Sequence, residues 1–383
     1  MRASPARKPH VLTLTDTVGQ GGAERVAVEL AIGADPRRFR RSLCVTRTLA
    51  AHAGAERALE RLRDAGVQVI SLERSSRAQV GVWRRLARFM VEQRVDLIHS
   101  HKFGANVAAA VLGSALRTPV VIAHEHTWSF EGQPLRRLMD RHVVARGADA
   151  VIAVSEADRR RMIELVGMPA DRVVLIHNGI DLPEVAPGGD VRRQLGIDAR
   201  SPVIAQVAVL RPQKAIEVML EAMVDVVAEH PDARLLVAGP GEPAALEATA
   251  ARLGVAASVH FLGPRDDVPR ILKAASVGVL SSDYEGSPLA VLEYMAAGLP
   301  TVSTDVGGVG RMVGHGVCGL LVPRRDARAL ARAINRLLSD PQLAASMGRR
   351  ARERQRAEFS LQAMVSRVGE LYERLLADAR MRR

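Results

Sequence analysis

The sequence predicts an α/β protein made of two doubly wound, Rossmann-like domains. Short apolar segments alternate with amphipathic helical segments in both halves of the chain, a pattern typical of parallel sheets with helices on both faces. At 383 residues, the chain is longer than one hydrophobic core usually serves. Residues 182–190, between the two series, are rich in proline and glycine and have no periodicity. We expect an interdomain hinge there.

The first half of the chain contains seven candidate strands, each a short run of mainly apolar residues. They cover residues 10–15, 41–46, 67–71, 95–99, 119–123, 149–153 and 172–176. A second series starts near Pro202 with VIAQVAVL and continues with ARLLVAG, SVHFLG, ASVGVL, PTVST and GLLVP. From Asp326 the pattern is helical and includes the amphipathic segment LQAMVSRVGELYERLL. Ligands of such sheets bind at the carboxyl ends of the strands.

Composition excludes several classes of protein. The two cysteines lie far apart in apolar runs, so we expect neither a disulfide framework nor a cysteine metal site. No signal peptide or membrane-spanning segment is evident, and we expect a cytoplasmic protein that is soluble or in peripheral contact with the inner face of the membrane. The net charge is +12, but aromatic residues make up only 3% of the chain, which disfavours single-stranded nucleic acid as a partner.

The most informative stretch runs from Val277 to Gly308. It predicts a strand at 277–280, a polar loop ending in Glu285-Gly286-Ser287, a helix from Pro288 to about Ala297, and a further strand from Pro300. Proline suits a first helical position, serine is a common N-cap, and the glycine at 298 is suited to ending the helix. The boundaries of this strand–loop–helix–strand unit are therefore well marked.

Two glutamates, Glu285 and Glu293, lie on either side of the predicted start of this helix. Their carboxylates would hydrogen-bond two separate diols of an elongated ligand, while the helix N-terminus would attract a phosphate. A nucleotide-sugar has this layout. In the alternative interpretation, Glu285 is a solvated loop residue and Glu293 a surface residue of the helix.

The run EGSPLAVLEYMAAGLPTVSTDVGG resembles the paired-glutamate signature of retaining glycosyltransferases of family four. The resemblance implies the GT-B fold, with two domains facing across a cleft. Residues 1–182 and a returning C-terminal helix at 358–383 would form the acceptor-side domain, and residues 183–357 the donor domain. It also implies that Glu285 holds sugar hydroxyls, that Glu293 holds the ribose, and that the helix start binds the donor through Gly286, Ser287, Pro288 and Leu289.

The segment AVLRPQK places Lys214 after a strand, where we expect it to begin a helix and to neutralise charge on the departing diphosphate. The family pattern has an arginine at the position of Val209 and a glycine at that of Ala215. We hypothesise that Arg211 replaces the missing arginine, because residues two apart on a strand share a face. Loss of one charge-assisted hydrogen bond would otherwise weaken phosphate binding by roughly 1.5–3 kcal/mol.

Two further motifs follow strands of the first half. The run GQGGAER opens a helix, and Gly21 and Gly22 would let backbone amides approach a ligand, although a tight turn explains them about as well. His124-Glu125-His126 follows the strand at 119–123. The resemblance implies that one of these histidines faces the sugar, and strand alternation favours His126 over His124. An HxH metal pair is disfavoured, since no third ligand has suitable spacing.

Together with the resemblance, these observations predict a glycosyltransferase that uses a nucleoside diphosphate sugar, with UDP- or GDP-sugars favoured, and the resemblance implies that the reaction is retaining. The catalytic residues would be Glu285, His126 and Lys214. The sequence contains no Asp-x-Asp pair, so we expect metal-independent catalysis without a cofactor. The acceptor is open: a glycan, a small molecule or a lipid-linked acceptor would fit. A sugar-nucleotide epimerase of the same fold and a donor-binding homologue without turnover are the alternatives.

Overall fold

The protein is described from a computed structural model. The structure describes residues 7–19, 21–47, 53–76, 79–127, 133–183 and 190–382. The chain forms two compact units, residues 1–178 together with 361–383, and residues 179–360. The predicted hinge at 182–190 lies largely outside the described residues.

Within the described part of the first unit, seven parallel strands form one sheet. They are β1 (His10–Thr15), β2 (Arg40–Arg47), β3 (Gln68–Arg74), β4 (Leu97–His101), β5 (Val120–Glu125), β6 (Ala150–Ala153) and β7 (Val173–Leu175). The strand order is β3-β2-β1-β4-β5-β6-β7. The chain therefore adds β2 and β3 on one side of β1 and β4 to β7 on the other, and the switch point lies between β1 and β4. The central strands β1, β4 and β5 are buried on both faces, and they carry buried polar residues as well as apolar ones.

The second unit contains a parallel sheet of six strands among its described residues. They are β8 (Val203–Val207), β9 (Arg234–Ala238), β10 (Val259–Phe261), β11 (Val277–Leu280), β12 (Thr301–Thr304) and β13 (Gly319–Val322). The order is β10-β9-β8-β11-β12-β13, and the switch point, where the order of strand addition reverses, lies between β8 and β11. Both sheets confirm the predicted doubly wound architecture.

Helices connect the strands throughout the described residues. They are α1 (Gly22–Gly33), α2 (Ala53–Asp64), α3 (Val82–Glu92), α4 (Phe103–Leu116), α5 (Pro134–Met139), α6 (Ala145–Gly147), α7 (Glu156–Glu164), α8 (Val191–Gln194), α9 (Ile216–Glu229), α10 (Ala244–Arg252), α11 (Val268–Ala274), α12 (Leu289–Ala297), α13 (Val309–Val313), α14 (Ala327–Ser339), α15 (Pro341–Glu358) and α16 (Leu361–Met381). A π-helical turn at Asp140–Val144 joins α5 to α6, and 3₁₀ turns occupy Pro212–Lys214 and Ala256–Ser258.

The last helix, α16, belongs to the first unit. A Cβ added to Gly33 of α1 would lie 2.6 Å from a methyl carbon of Val365, so the two helices pack closely only because residue 33 has no side chain. Tyr372 of α16 is buried and its ring contacts that of Phe39 edge to face, with centroids 5.8 Å apart. The amphipathic pattern of the C-terminal segment is therefore explained by packing on the first unit.

The two faces of the second sheet carry different helices. Alternation along β8 directs Ile204 into the core formed with α9 and α14, and directs Val203 and Ala205 into the core that contains Tyr294 of α12. Helix α12 is thereby fixed against the strands whose ends carry the predicted site residues.

Candidate functional site

The predicted donor residues gather at the topological switch point of the second sheet. Lys214 lies in the segment after β8 and Glu285 in the loop after β11, and these two strands are neighbours where the strand order reverses. Ligands of doubly wound sheets bind at this position, outside the carboxyl ends of the strands. The topology thus brings together residues that are 71 positions apart.

Lys214 and Glu285 form an ion pair. The ammonium nitrogen Nζ lies 2.5 Å from Glu285 Oε1, and the hydroxyl of Ser282 donates a hydrogen bond of 2.7 Å to the same oxygen. Glu285 is 6% exposed, so the solvated-loop interpretation of this residue is wrong. The pair places a cation and a hydrogen-bonding carboxylate side by side at the strand ends.

Backbone contacts join the two segments that carry this pair. The amide of Asp283 donates to the carbonyl of Gln213 at 2.9 Å, and the hydroxyl of Ser281 donates to the carbonyl of Lys214 at 2.8 Å. Gln213 also donates a side-chain hydrogen bond to the carbonyl of Tyr284 at 2.8 Å. The loop after β11 is therefore held in register with the turn after β8.

The local structure around Lys214 corrects two predictions. Lys214 ends a 3₁₀ turn instead of beginning a helix, because Ala215 has a left-handed backbone (φ +44°) that separates the turn from α9. Strand β8 ends at Val207, so Val209 and Arg211 do not share a strand face. The physical argument that Arg211 replaces an arginine at 209 is therefore wrong as stated. Arg211 is exposed just before the turn, and its role remains a prediction.

Helix α12 begins one residue later than predicted. The N-cap is Pro288, which has an extended backbone (ψ 124°) and makes no side-chain cap hydrogen bond, so Ser287 does not occupy the predicted N-cap position. The hydroxyl of Ser287 lies 3.8 Å from the sulfur of Met312. The helix ends as predicted at Gly298, which has a left-handed backbone (φ +74°). Leu289 is thus the first helical residue, and Gly286 lies two residues before the N-cap.

Glu293 lies on the second turn of α12. Its side chain is 7% exposed, so the interpretation as a surface residue of the helix is wrong. A buried carboxylate is costly unless it is paired or hydrogen-bonded, and such groups are common at functional sites. Burial of both Glu285 and Glu293 agrees with the ligand-binding interpretation of the pair.

Gly307 has a role at this site that the sequence interpretation missed. Its backbone is left-handed (φ +56°), and an added Cβ would lie 1.8 Å from the carbonyl oxygen of Glu285. The amide of Gly308 donates to the carbonyl of Gly286 at 2.8 Å. Two glycines at the end of the signature therefore fix the Glu285–Gly286 backbone from the other side, and their adjacency in the sequence was the available signal.

Tyr294 links the two strands of the switch point from their buried side. Its hydroxyl accepts a hydrogen bond from the amide of Val207 (2.7 Å) and donates one to the carbonyl of Val279 (3.0 Å). The ends of β8 and β11 are thus bridged by one phenol. Gly278 faces this ring, and a Cβ there would lie 2.4 Å from Cγ of Tyr294.

In the first unit, the glycine loop follows β1 as predicted. Gly21 is the extended N-cap of α1, and Gly22 is the first helical residue. Glu24, in the first turn, is 6% exposed and pairs with Lys102 Nζ at 2.7 Å. Burial alone would raise the pKa of Glu24, but Lys102 and the Thr17 hydroxyl outweigh it and the pKa is lowered. The first turn of α1 therefore carries a buried carboxylate paired with a half-exposed lysine, which the sequence interpretation did not identify.

The alternation argument that favoured His126 over His124 is wrong, because residues two apart on a strand share a face and Ile122, His124 and His126 therefore project to the same side. His124 is completely buried, whereas His126 is partly exposed just beyond the end of β5. Burial lowers the pKa of His126 to about 3, so its imidazole is neutral at neutral pH. His126 Nε2 lies 3.0 Å from Nδ1 of His101.

His99 and His101, on β4, were missed as neighbours of these histidines. β4 pairs with β5 in parallel, and His101 is directly opposite His124. The expectation that the HxH pair lacks a third metal ligand is therefore wrong, because His99 and His101 lie on the neighbouring strand. The sequence holds a second HxH motif in HSH at 99–101, and adjacency of the two strands was the missing information.

A buried acidic group lies on the other side of β5. Glu125 accepts a hydrogen bond of 2.7 Å from Nδ2 of Asn106, and Arg136 approaches its other oxygen at 3.5 Å. Burial raises the pKa of Glu125 to about 8 and that of Asp140 to about 7. Residues 128–132 lie outside the described residues.

Family models match both halves of the chain. The model described as Glycosyltransferase Family 4 matches residues 20–184, and the model described as Glycosyl transferases group 1 matches residues 189–354. The D-inositol 3-phosphate glycosyltransferase of Thermobispora bispora is 32% identical, over 73% of this chain and 70% of that protein. The D-inositol 3-phosphate glycosyltransferase 2 of Catenulispora acidiphila is 31% identical, over 74% and 72%.

Solved structures show the same fold. Anabaena Alr3699/HepE in complex with UDP superposes with a TM-score of 0.80 at 25% identity, over 95% of this chain and 99% of that one. Sucrose-phosphate synthase from Thermosynechococcus elongatus superposes with a TM-score of 0.79 at 24% identity, over 97% and 100%. Among the described residues, no helix combines the length and apolar character needed to cross a bilayer.

Proposed function

Because the chain belongs to glycosyltransferase family 4 and folds as the two Rossmann-like domains of the GT-B class, we propose that it transfers a sugar from a nucleoside diphosphate sugar to an acceptor hydroxyl with retention at the anomeric carbon. The observation that carries this proposal is the Lys214–Glu285 pair at the switch point of the second sheet. It supplies the two kinds of group that such a donor needs, a cation for phosphate and a carboxylate for hydroxyls.

The donor would be bound by the second unit. Lys214 neutralises the charge that develops on the diphosphate as the glycosidic bond breaks, and the N-terminus of α12 at Gly286 to Leu289 provides partial positive charge for the same group. Glu285 orients the sugar hydroxyls and Glu293 the ribose diol. Arg211 is retained as a candidate phosphate ligand because it is exposed next to the turn that carries Lys214.

The first unit would supply the acceptor side. His126, neutral and partly exposed, is the favoured histidine at the reaction centre, and Gly21 and Gly22 present backbone amides at the start of α1. Retention follows if the acceptor hydroxyl attacks on the face from which the diphosphate departs. The acceptor's proton then passes to the leaving phosphate oxygen.

A uridine diphosphate sugar is the favoured donor, because a protein of the same fold is described in complex with UDP. The relatives named as D-inositol 3-phosphate glycosyltransferases support a phosphorylated cyclitol as the acceptor. A lipid-linked acceptor and a glycan are the alternatives to this acceptor, because the sequence is compatible with each of them.

Donor binding is tested by titrating UDP-, GDP-, ADP- and TDP-sugars without metal, followed by calorimetry or thermal stability. The wild type is compared with Glu293→Ala and with Glu247→Ala, which removes an exposed glutamate from α10. We expect one nucleotide class to bind the wild type and the Glu247 variant, with binding lost in Glu293→Ala. Equal binding by all three proteins would contradict the assignment of Glu293.

Turnover and stereochemistry need a separate assay. The preferred donor is incubated with D-inositol 3-phosphate, with unphosphorylated inositol, or with a lipid-linked acceptor, and the products are examined by NMR. We expect nucleoside diphosphate release with the phosphorylated cyclitol and a product with the donor's anomeric configuration. An inverted product would contradict retention. Conversion of the donor sugar without an acceptor would favour the epimerase, and binding without product would favour a homologue that has lost turnover.

A further inference from the structure

Two adjacent strands of the first unit each present an HxH motif to the same face of the sheet. β4 contributes His99 and His101, and β5 with its following residue contributes His124 and His126. Because the strands are parallel and His101 is opposite His124, the alternate residues of both motifs project to one side. The imidazole rings of His99, His101 and His124 are completely buried.

The rings are close enough to share one ligand. One ring nitrogen each of His99, His101 and His124 can be chosen so that all lie within 4.8 Å of one another. Nε2 of His99 and Nδ1 of His124 are 3.2 Å apart. Two imidazole nitrogens bound to one tetrahedral zinc ion at 2.0–2.1 Å are about 3.3 Å apart, which is close to this separation.

The hydrogen bonding within the cluster is incomplete. Among the described residues, Nε2 of His101, Nε2 of His124 and Nδ1 of His126 have no hydrogen-bond partner. A buried polar group without a partner is destabilising, and an ion is one of the recognised explanations for such groups. For His101, both ring nitrogens would then be used, because Nδ1 lies 3.0 Å from Nε2 of His126 and Nε2 would bind the metal.

A supporting residue is also present. Nδ1 of His99 lies 2.6 Å from the hydroxyl of Tyr372 on α16. Histidine ligands of metals commonly donate their second ring nitrogen to a neighbouring group, which fixes the ring and the tautomer. With Nδ1 donating to Tyr372, the Nε2 lone pair of His99 is left for the metal.

From this geometry we propose that His99, His101 and His124 bind a divalent transition-metal ion of the zinc type. Neutral imidazoles favour Zn²⁺, Cu²⁺ and Ni²⁺ over Mg²⁺ or Ca²⁺, and three of them leave a fourth position open. The site belongs to the first unit, whereas Lys214 and Glu285 belong to the second. Within the first unit, His101 also contacts His126, the histidine proposed for the reaction centre, but the test of metal binding does not depend on turnover.

The first test uses the wild-type chain without a histidine tag. The protein is stripped with dipicolinate, dialysed against Zn²⁺ and analysed for metal content, and its zinc X-ray absorption spectrum is recorded. We expect about one tightly held Zn²⁺ per chain with three imidazole nitrogens at about 2.0 Å. A chain that holds no Zn²⁺ after dialysis, or a spectrum with fewer than two imidazoles, would overturn the proposal.

Variants then locate the site. His99→Gln and His124→Gln should abolish tight binding, whereas His142→Gln, which changes an exposed histidine outside the cluster, should bind like the wild type. Tyr372→Phe keeps all three ligands and should weaken binding about 10- to 100-fold. Circular dichroism identifies variants that fail to fold. If both histidine variants fail to fold, the zinc X-ray absorption spectrum of the wild-type chain decides whether the proposal holds. Retention of wild-type affinity by a folded His99 or His124 variant would overturn the proposal.

Discussion

The ammonium of Lys214 lies 2.5 Å from the carboxylate of Glu285, and this pair connects the segments that follow β8 and β11. The side chains of Lys214 and Glu285 are 17% and 6% exposed. Breaking a buried pair by removing one partner is destabilising, because the remaining charge is left without compensation. The pair is thus coupled to folding as well as to the proposed donor site.

We predict that Lys214→Met lowers the free energy of unfolding by about 2–4 kcal/mol and strongly reduces donor affinity. Glu285→Gln should also destabilise the protein. The loss of unfolding free energy in the double variant should be smaller than the sum of the losses in the two single variants. The measurement is a double-mutant cycle by urea unfolding at neutral pH. Lys273→Met, on α11, serves as the control lysine. Additive effects would show that the two side chains are not energetically coupled.

Gly307→Ala tests the close backbone approach that fixes the loop of Glu285. The added Cβ would lie 1.8 Å from the carbonyl oxygen of Glu285, and φ at position 307 is +56°. The loop must therefore move, and we expect at least a tenfold loss of donor affinity together with a lower midpoint of unfolding. The matched control is Gly316→Ala, where φ is +76° but no atom lies within 4 Å of the added Cβ. A Gly307 variant with the control's donor affinity would contradict this role.

The fold could be predicted from the sequence because parallel strands buried on both faces leave continuous apolar runs, as in the VVIA of β5 and the AVIA of β6. Glu285 and Glu293 could be predicted because they lie within a single local motif. His99 and His101 were missed because their significance depends on strand adjacency, which period and spacing do not give. The error at Arg211 has a similar origin: the end of β8 at Val207 is set by sheet pairing with β9, not by the apolar run.

The ion pair also leads to a prediction about metal dependence of the reaction. In the proposed donor site, Lys214 and the start of α12 would offer positive charge for the diphosphate, so we expect Mg²⁺ or Mn²⁺ to have no required role in its neutralisation. We predict that steady-state turnover is unchanged by EDTA and by subsequent addition of either ion. Metal analysis of the same samples distinguishes this result from occupancy of the histidine cluster. Stimulation by Mg²⁺ or Mn²⁺ after chelation would contradict the prediction.

Asp140 gives a prediction about stability and pH. Neither of its carboxylate oxygens has a hydrogen-bond partner among the described residues, and burial raises its pKa from the ordinary 3.8 to about 7. The charged groups that act on this region are Arg136, which favours the ionised form, and Glu125, whose charge opposes it. The folded state therefore prefers protonated Asp140, whereas the unfolded chain ionises it near pH 4.

Between about pH 4 and pH 7 the unfolded state binds fewer protons at this position than the folded state, so Asp140 makes stability fall as pH rises. The destabilisation is complete above about pH 7 and amounts to at most about 4 kcal/mol. We predict that Asp140→Asn removes this slope and is more stable than the wild type at pH 8 and similar at pH 4. The measurement is urea unfolding across this pH range, with Asp171→Asn, an exposed site, as the control. A variant whose stability parallels that of the wild type at every pH would show that Asp140 ionises equally in both states.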